Sequence, residues 1–340
     1  MRSINRSSRS EVRHKCGPHS IRIGKDSEVD RFLVTGGAGF IGSNICRELV
    51  EQGCSVRVVD NLLTGKKENL RDILGQLEFI EADMGDPEVA ASSMKDIDVV
   101  LHQGALPSVP RSVDDPAATH RHCVDATFTL LMAARDAGIK RFVYAASSSA
   151  YGDTPTLPKV EDMPTKPLSP YAVGKLVGEH YCSVFYKVFG LETIALRYFN
   201  VFGPHQDPTS QYAAAIPAFV TSILTDQSPT IYGDGEQSRD FTYIDNVVRA
   251  NLLAARAEKT EGDVVNIACG KAVTVNGIVE MINDIVGKDV KAVYTDPRPG
   301  DVKHSLADIS LAGEKIGYEP VVNFREGLEK AIRWYRENLI

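Results

Sequence analysis

The sequence predicts an α/β protein: a doubly wound parallel sheet with helices on both faces, joined to a smaller mixed α/β lobe. Two observations carry this expectation. From Arg31 onward, short apolar runs alternate with longer amphipathic stretches, and wholly apolar strands separated by helices belong to a parallel sheet covered on both sides. The first run ends in a glycine-rich turn that opens a helix, the junction at which such sheets offer backbone N–H groups to phosphates.

Composition bounds the rest. The chain has 340 residues, 43% hydrophobic and 24% charged, with a formal charge of -7. That length suits one large or two modest domains, and the proportions exclude general disorder, collagen-like repeats and a membrane bundle. No apolar run approaches the roughly 18 residues a spanning helix needs, so no membrane partner is expected. The acidic balance argues against nucleic acid. Cys16, Cys46, Cys54, Cys123, Cys182 and Cys269 show no metal-ligand spacing, so no metal is expected, and reduced thiols suit a cytoplasmic protein.

Strands are expected at 32–35, 56–60, 77–80, 97–102 and 142–146, with two more near 193–196 and 264–267. Helices are expected at 113–137, 171–189, 213–225, 244–257, 275–286 and 324–338. Residues 1–29 read as a polar, basic tail; an organelle transit peptide has the same composition, and both readings stay open. Residues 30–200 form the expected sheet domain, to which the chain returns at about 240–270, and 201–340 make up most of the lobe. Within it FGPHQDPTSQY and IYGDGEQSRDF read as ligand-binding loops.

TGGAGFIG places Gly36, Gly39 and Gly42 between the first strand and its helix. Glycine lets a backbone turn sharply against a pyrophosphate, and the helix that follows aims its N–H groups at the anion. The second strand ends in Asp60, placed to accept hydrogen bonds from an adenosine ribose, an arrangement that favours NAD over NADP. Asp83 and Met84 are candidates to flank the adenine, although an ordinary surface acid and a rim methionine fit as well. Gln103, Gly104 and Ala105 follow the fourth strand, at the carboxyl edge where doubly wound sheets meet ligands.

Tyr171 and Lys175 stand four apart at the start of a helix, with Pro170 near its first position, so their side chains share a face. An ammonium and an oxidised nicotinamide would both favour the phenolate, making Tyr171 a base for a sugar hydroxyl. Taken alone, the spacing equally suits a core tyrosine beside a lysine reaching solvent. Ser147, Ser148 and Ser149 end the fifth strand, where a hydroxyl can relay a proton, or simply form a polar turn.

Together TGGAGFIG, Asp60, ASSSAYGD, the Tyr171/Lys175 pair, RYFNVFGP, GDGEQSRDF and RPGDVKHSLAD resemble the extended short-chain dehydrogenase/reductase family over nearly the whole chain from residue 31. Within it, HQGALPSVPRS, LPKVED and GDVKHSLAD are most similar to the UDP-N-acetylglucosamine 4-epimerase group. The resemblance implies a Rossmann sheet, bound NAD, a UDP-sugar substrate and a homodimer built from helices near 113–137 and 171–189. It implies that Ser147, Tyr171 and Lys175 are catalytic, and that Phe40, Ile41, Asn61 and Tyr198 join the dinucleotide site. It assigns Asn200 to the diphosphate and Arg239, Arg298 and Asp301 to the UDP moiety; the two arginines also fit surface ion pairs. Ser108, Ser148, Ser149, Gln206 and Ala214 fall beside the expected sugar.

The implied reaction takes hydride from sugar carbon 4 to give a 4-keto sugar. Family members that dehydrate or decarboxylate carry carboxylates where Ser148 and Ser149 stand here, so epimerisation is the expected outcome. Ser305 occupies a position that is a bulky tyrosine in epimerases restricted to the plain hexose, which leaves room for an N-acetyl group. Pro107 replaces a glycine of close relatives. A UDP-uronic acid epimerase or decarboxylase, and a non-catalytic NAD-binding regulator, are the rival expectations.

Overall fold

Apolar runs become the strands of one sheet because each can be buried on both faces only between layers of helices. The computed structural model describes residues 30–208, 215–297 and 303–338. Its sheet comprises β1 (Arg31–Thr35), β2 (Ser55–Asp60), β3 (Glu78–Glu81), β4 (Val99–His102), β5 (Arg141–Ser147) and β6 (Thr193–Tyr198), with Asp263–Ile267 as the seventh strand. All pairings are parallel, and the order is Asp263–Ile267, β6, β5, β4, β1, β2, β3. The winding reverses between β1 and β4, which opens a crevice at the strands' carboxyl ends. The expected doubly wound sheet is therefore present, with strand limits shifted by one or two residues.

Alternate residues feed two apolar layers, as the period of a strand requires. Phe32, Val34, Val58, Leu101 and Val143 belong to the core on one face; Leu33, Val59, Val100, Phe142 and Tyr144 belong to the core on the other. The helices are α1 (Phe40–Glu51), α2 (Pro87–Ser93), α3 (Val109–Asp114), α4 (Pro116–His120), α5 (Ala126–Ala137), α6 (Pro170–Phe189), α7 (Ala215–Leu224), α8 (Ile244–Arg256), α9 (Val275–Val286), α10 (Ser310–Ile316) and α11 (Phe324–Asn338).

One helix expectation is corrected. The stretch 113–137 is not a single helix: α3 stops before Pro116, whose ring cannot continue it. Asp115 then caps α4 by accepting from the Ala118 N–H at 2.9 Å, and a π turn at Arg121–Asp125 leads into α5. By contrast α6 runs unbroken. Ser169 accepts from the Ala172 N–H at 3.1 Å, Pro170 begins the first turn, and Gly190 ends the helix at a φ of 73°.

Helices α7, α9 and α11 pack together in the lobe. Three small strand pairs join it: Thr230–Tyr232 with Val293–Thr295, Ser238–Asp240 with Ala272–Thr274, and Val201–Phe202 with Thr242–Tyr243. The last pair runs straight into α8, which packs back on β4, β5 and β6, so lobe and sheet interleave. Among the described residues no helix is long and apolar enough to cross a membrane, and no His, Cys, Asp and Glu cluster could hold a metal ion. The tail at 1–29 and the expected site residues Ala214, Arg298 and Asp301 lie outside the described residues.

Candidate active site

A cleft of about 840 Å³ lies along the carboxyl edge of the sheet. Its floor is the glycine turn. Gly36 sits at a φ of 67°, and a Cβ there would stand 2.6 Å from the Gly104 backbone. A Cβ on Gly42 would stand 2.2 Å from the Gly36 carbonyl oxygen. Neither position accepts a side chain, so β1, β4 and α1 approach as closely as backbone allows. Gly39 precedes α1 and gives it no side-chain cap, which leaves the helix N-terminus and its dipole to the cleft. Phe40 and Ile41 line the same wall.

Asp60 is 8% exposed and lines the cleft. Its two oxygens accept from the Ala38 N–H at 2.9 Å and the Leu62 N–H at 2.8 Å, so it braces the glycine turn while its remaining lone pairs are free for a ribose diol. Burial pushes its carboxyl above the usual range, and the two amides pull it back. Asn61 lines the cleft and donates to Asp83 at 3.3 Å. Asp83 also accepts from the Gly85 N–H at 2.8 Å and stands behind the wall; Met84 is on it. Gln103, Ala105 and Tyr198 line the opposite side. Gln103 donates to the Asn251 carbonyl at 2.9 Å, Asn251 donates to the Tyr198 hydroxyl at 2.8 Å, and Tyr198 reaches the Gln103 carbonyl at 3.2 Å.

Tyr171 and Lys175 share the inner face of α6 and both line the cleft. The Lys175 ammonium is 3% exposed, donates to the Ala145 carbonyl at 2.7 Å and sits 4.9 Å from the Tyr144 ring centre. Desolvation lowers its pKa. Burial pushes the Tyr171 phenol up, and a hydrogen bond with Ser147 pulls it down. Ser147 in turn accepts from the Ser149 hydroxyl at 2.8 Å and the Ser149 N–H at 3.2 Å, so Ser149 is spent on Ser147 instead of facing open space. Ser148 opens the single turn Ser148–Tyr151 that ends the strand.

The expected substrate residues fall into two groups. Ser108 and Gln206 line the cleft. Ser108, at a φ of 102°, caps α3, and Gln206 donates to the Val201 carbonyl at 3.2 Å. Asn200, Ser305 and Arg239 are not among the residues that line it: Asn200 donates to the Ser305 hydroxyl at 3.3 Å and to the Asp240 carbonyl at 2.9 Å. Arg239 donates to the carbonyls of Ser238 and Lys303 at 3.0 and 2.9 Å.

A family model described as the NAD dependent epimerase/dehydratase family matches residues 32–268. The chain belongs to the NAD-dependent epimerase/dehydratase family. Its fold is similar to that of the UDP-N-acetylglucosamine 4-epimerase of Methanobrevibacter ruminantium M1, solved with UDP-N-acetylmuramic acid: TM-score 0.88, 42% identity, covering 92% of this chain and 100% of that one. The UDP-glucose 4-epimerase of Thermotoga maritima, solved with UDP-glucose, gives a TM-score of 0.87 at 38% identity over 91% of this chain and 100% of that one. The UDP-glucuronic acid 4-epimerase of Bacillus cereus, solved with UDP-glucuronic acid and NAD, gives 0.83 at 34% identity over 90% and 99%.

The cleft fits the dinucleotide that this epimerase/dehydratase family uses. A side-chain-free turn meets an uncapped helix end, Asp60 stands at the tip of β2, and Lys175 and Tyr171 face the far end. Asn251 escaped the sequence reading. It lies in an amphipathic helix with no local signal, and only the packing of α8 brings it to Gln103 and Tyr198. His122 and Arg111 also line the cleft without having been singled out.

Proposed function

We propose that this protein is an NAD-dependent UDP-sugar 4-epimerase that interconverts UDP-N-acetylglucosamine and UDP-N-acetylgalactosamine, with UDP-glucose and UDP-galactose as further substrates. One observation carries the reading: Tyr171 and Lys175 share the cleft-facing side of α6, with Lys175 bonded to the Ala145 carbonyl two residues before Ser147 on β5 and serines at the two positions after Ser147. NAD, when bound, supplies the acceptor and then the donor of the C4 hydride.

Tyr171, as phenolate, takes the proton of the C4 hydroxyl; Ser147 hydrogen-bonds that oxygen, and the Lys175 ammonium offsets the phenolate charge. The sugar becomes a 4-keto group. With serines at 148 and 149, where dehydrating or decarboxylating members of the family carry carboxylates, epimerisation is the favoured outcome. The keto sugar, held through its UDP moiety by Asn200 at the diphosphate and by Arg239, Arg298 and Asp301, turns over, and Tyr171 returns the proton to O4. Ser305 is small and hydrogen-bonded to Asn200, which favours acceptance of an acetamido group, and Ser108, Gln206 and Ala214 are assigned to the sugar. Residues 30–200, with the return at about 240–270, hold the dinucleotide, and the rest of 201–340 grips UDP.

The experiment is incubation with UDP-N-acetylglucosamine, UDP-glucose and UDP-glucuronate separately, followed by proton NMR of the anomeric signals. UDP-N-acetylgalactosamine is the expected product. Turnover of UDP-glucose alone overturns the N-acetyl reading, and protein that binds no dinucleotide overturns the whole. Arg111 on the cleft wall favours a second reading, since a cation there suits a sugar carboxylate; UDP-galacturonate or carbon dioxide from UDP-glucuronate would select it.

A homodimer completes the proposal. Phe128 on α5 and Val173, Val184, Val188 and Phe189 on α6 are 40 to 66% exposed, an apolar strip that a second copy of the two helices would cover.

A further inference from the structure

Behind the cleft, out of reach of any ligand in it, Glu179 and Arg197 form an ion pair whose side chains are 2% and 5% exposed. The pair is bidentate: Arg197 Nε donates to Glu179 Oε1 at 2.9 Å and Nη2 to Oε2 at 2.7 Å. A pair this deep is costly to desolvate and is weak evidence for stability in itself, so its placement needs another account. Glu179 stands eight residues after Tyr171 and four after Lys175 on α6, which keeps the three side chains on the sheet-facing side of the helix. Each is tied to the strand ends. Tyr171 meets Ser147, Lys175 meets the Ala145 carbonyl, and Glu179 meets Arg197 on β6, directly beside Ala146 in the register.

Arg197 also touches the serine turn. Its guanidinium carbon lies 4.7 Å from the centre of the Tyr151 ring, within cation–π range. Tyr151 ends the Ser148–Tyr151 turn and donates through its hydroxyl to Asn266 Oδ1 at 2.7 Å. Asn266 donates its N–H to Glu161 at 2.7 Å and its amide to the Lys159 and Asp308 carbonyls at 3.0 and 3.1 Å. The sheet-facing side of α6 is also fixed by close contact: a Cβ on Gly178 would stand 2.3 Å from the Tyr144 ring, so the helix rests on β5 with no slack.

We propose that Glu179 and Arg197 are positioning residues for the reaction: through Tyr151 they lock the rotation of α6 against the turn that carries Ser147, and so set the Ser147–Tyr171 approach. The inference rests on the reading of Tyr171 as the proton-transfer group. A planar, bidentate link to one helix face combined with a stacked contact to the turn fixes an angle as well as a distance, which an apolar contact of similar volume does not.

The test replaces the pair by apolar residues, Glu179→Leu with Arg197→Met, an exchange that buried pairs often tolerate without loss of stability. Arg197→Lys, which keeps the charge and loses the fork, serves as the second variant. Expected is a fall in kcat on the order of tenfold to a hundredfold in the double variant, and a smaller fall in Arg197→Lys. KM for UDP-N-acetylglucosamine and UDP-glucose, and the NAD content, stay as in the wild type. The tyrosinate absorbance of the NAD-loaded protein, assigned by its loss in Tyr171→Phe, moves to higher pH. A wild-type kcat and tyrosinate titration in whichever of the two variants folds overturns the inference while leaving the Tyr171 reading intact. Undiminished turnover in Tyr171→Phe removes that reading, and this inference with it.

Discussion

The Nζ of Lys175 lies 2.7 Å from the carbonyl oxygen of Ala145, so the ammonium that shares a helix face with Tyr171 hangs from the strand that ends in Ser147. The charge is held in place by backbone, not by a carboxylate that would cancel it. Replacing it with an apolar side chain of similar reach should therefore keep the fold and remove the field. Lys175→Met is expected to lower kcat on the order of 10²- to 10⁴-fold, measured beside a circular dichroism spectrum that stays unchanged.

Asp60 braces the turn, each oxygen accepting one backbone amide, from Ala38 and Leu62, and in the proposed site it also meets the cofactor ribose. Asp60→Ser is expected to weaken NAD binding by about 1–3 kcal/mol, to reduce discrimination against NADP, and to lower the melting temperature. Titration of the dinucleotide-stripped protein with both cofactors measures the first two effects. Equal NAD affinity in variant and wild type would show that the carboxylate braces the turn alone.

His102 is fully buried between Thr35 and Thr127, with ring nitrogens 2.7 and 3.0 Å from the two hydroxyls. Burial, with the nearby Lys175 charge, lowers its pKa from 6.5 to about 3. The unfolded chain thus binds the extra proton first. The contribution is complete above pH 6.5 and is lost as pH falls toward 3, a change of up to about 5 kcal/mol. His102→Gln, destabilised at neutral pH by the lost hydrogen bonds, should approach the wild type on acidification. Parallel curves of denaturant midpoint against pH would contradict this.

The apolar strip on α5 and α6 gives a prediction about assembly. Val188 is 66% exposed and Phe128 40% exposed in the single chain. Glu at both positions is expected to yield monomers by sedimentation velocity that still retain NAD, because neither side chain lines the cleft. Dimers in the double variant would place the interface elsewhere.

The backbone of the fold was legible in the residues because it depends on neighbours in the chain. A wholly apolar run marks a strand such as Phe142–Ala146, a glycine turn between strand and helix marks a phosphate site, and Pro170 announces the helix that puts Tyr171 over Lys175. One local signal was passed over: Asp115-Pro116 breaks the stretch expected to run as one helix from 113 to 137. What no local pattern encodes is which distant side chains meet. Asn251 bonds Gln103 across 148 positions and Tyr198 across 53, and Glu179 finds Arg197 only because β6 lies next to β5 beneath α6. Such pairings follow from strand order and helix packing, through which the folded chain, and not its local sequence, chooses the partners of each buried polar group.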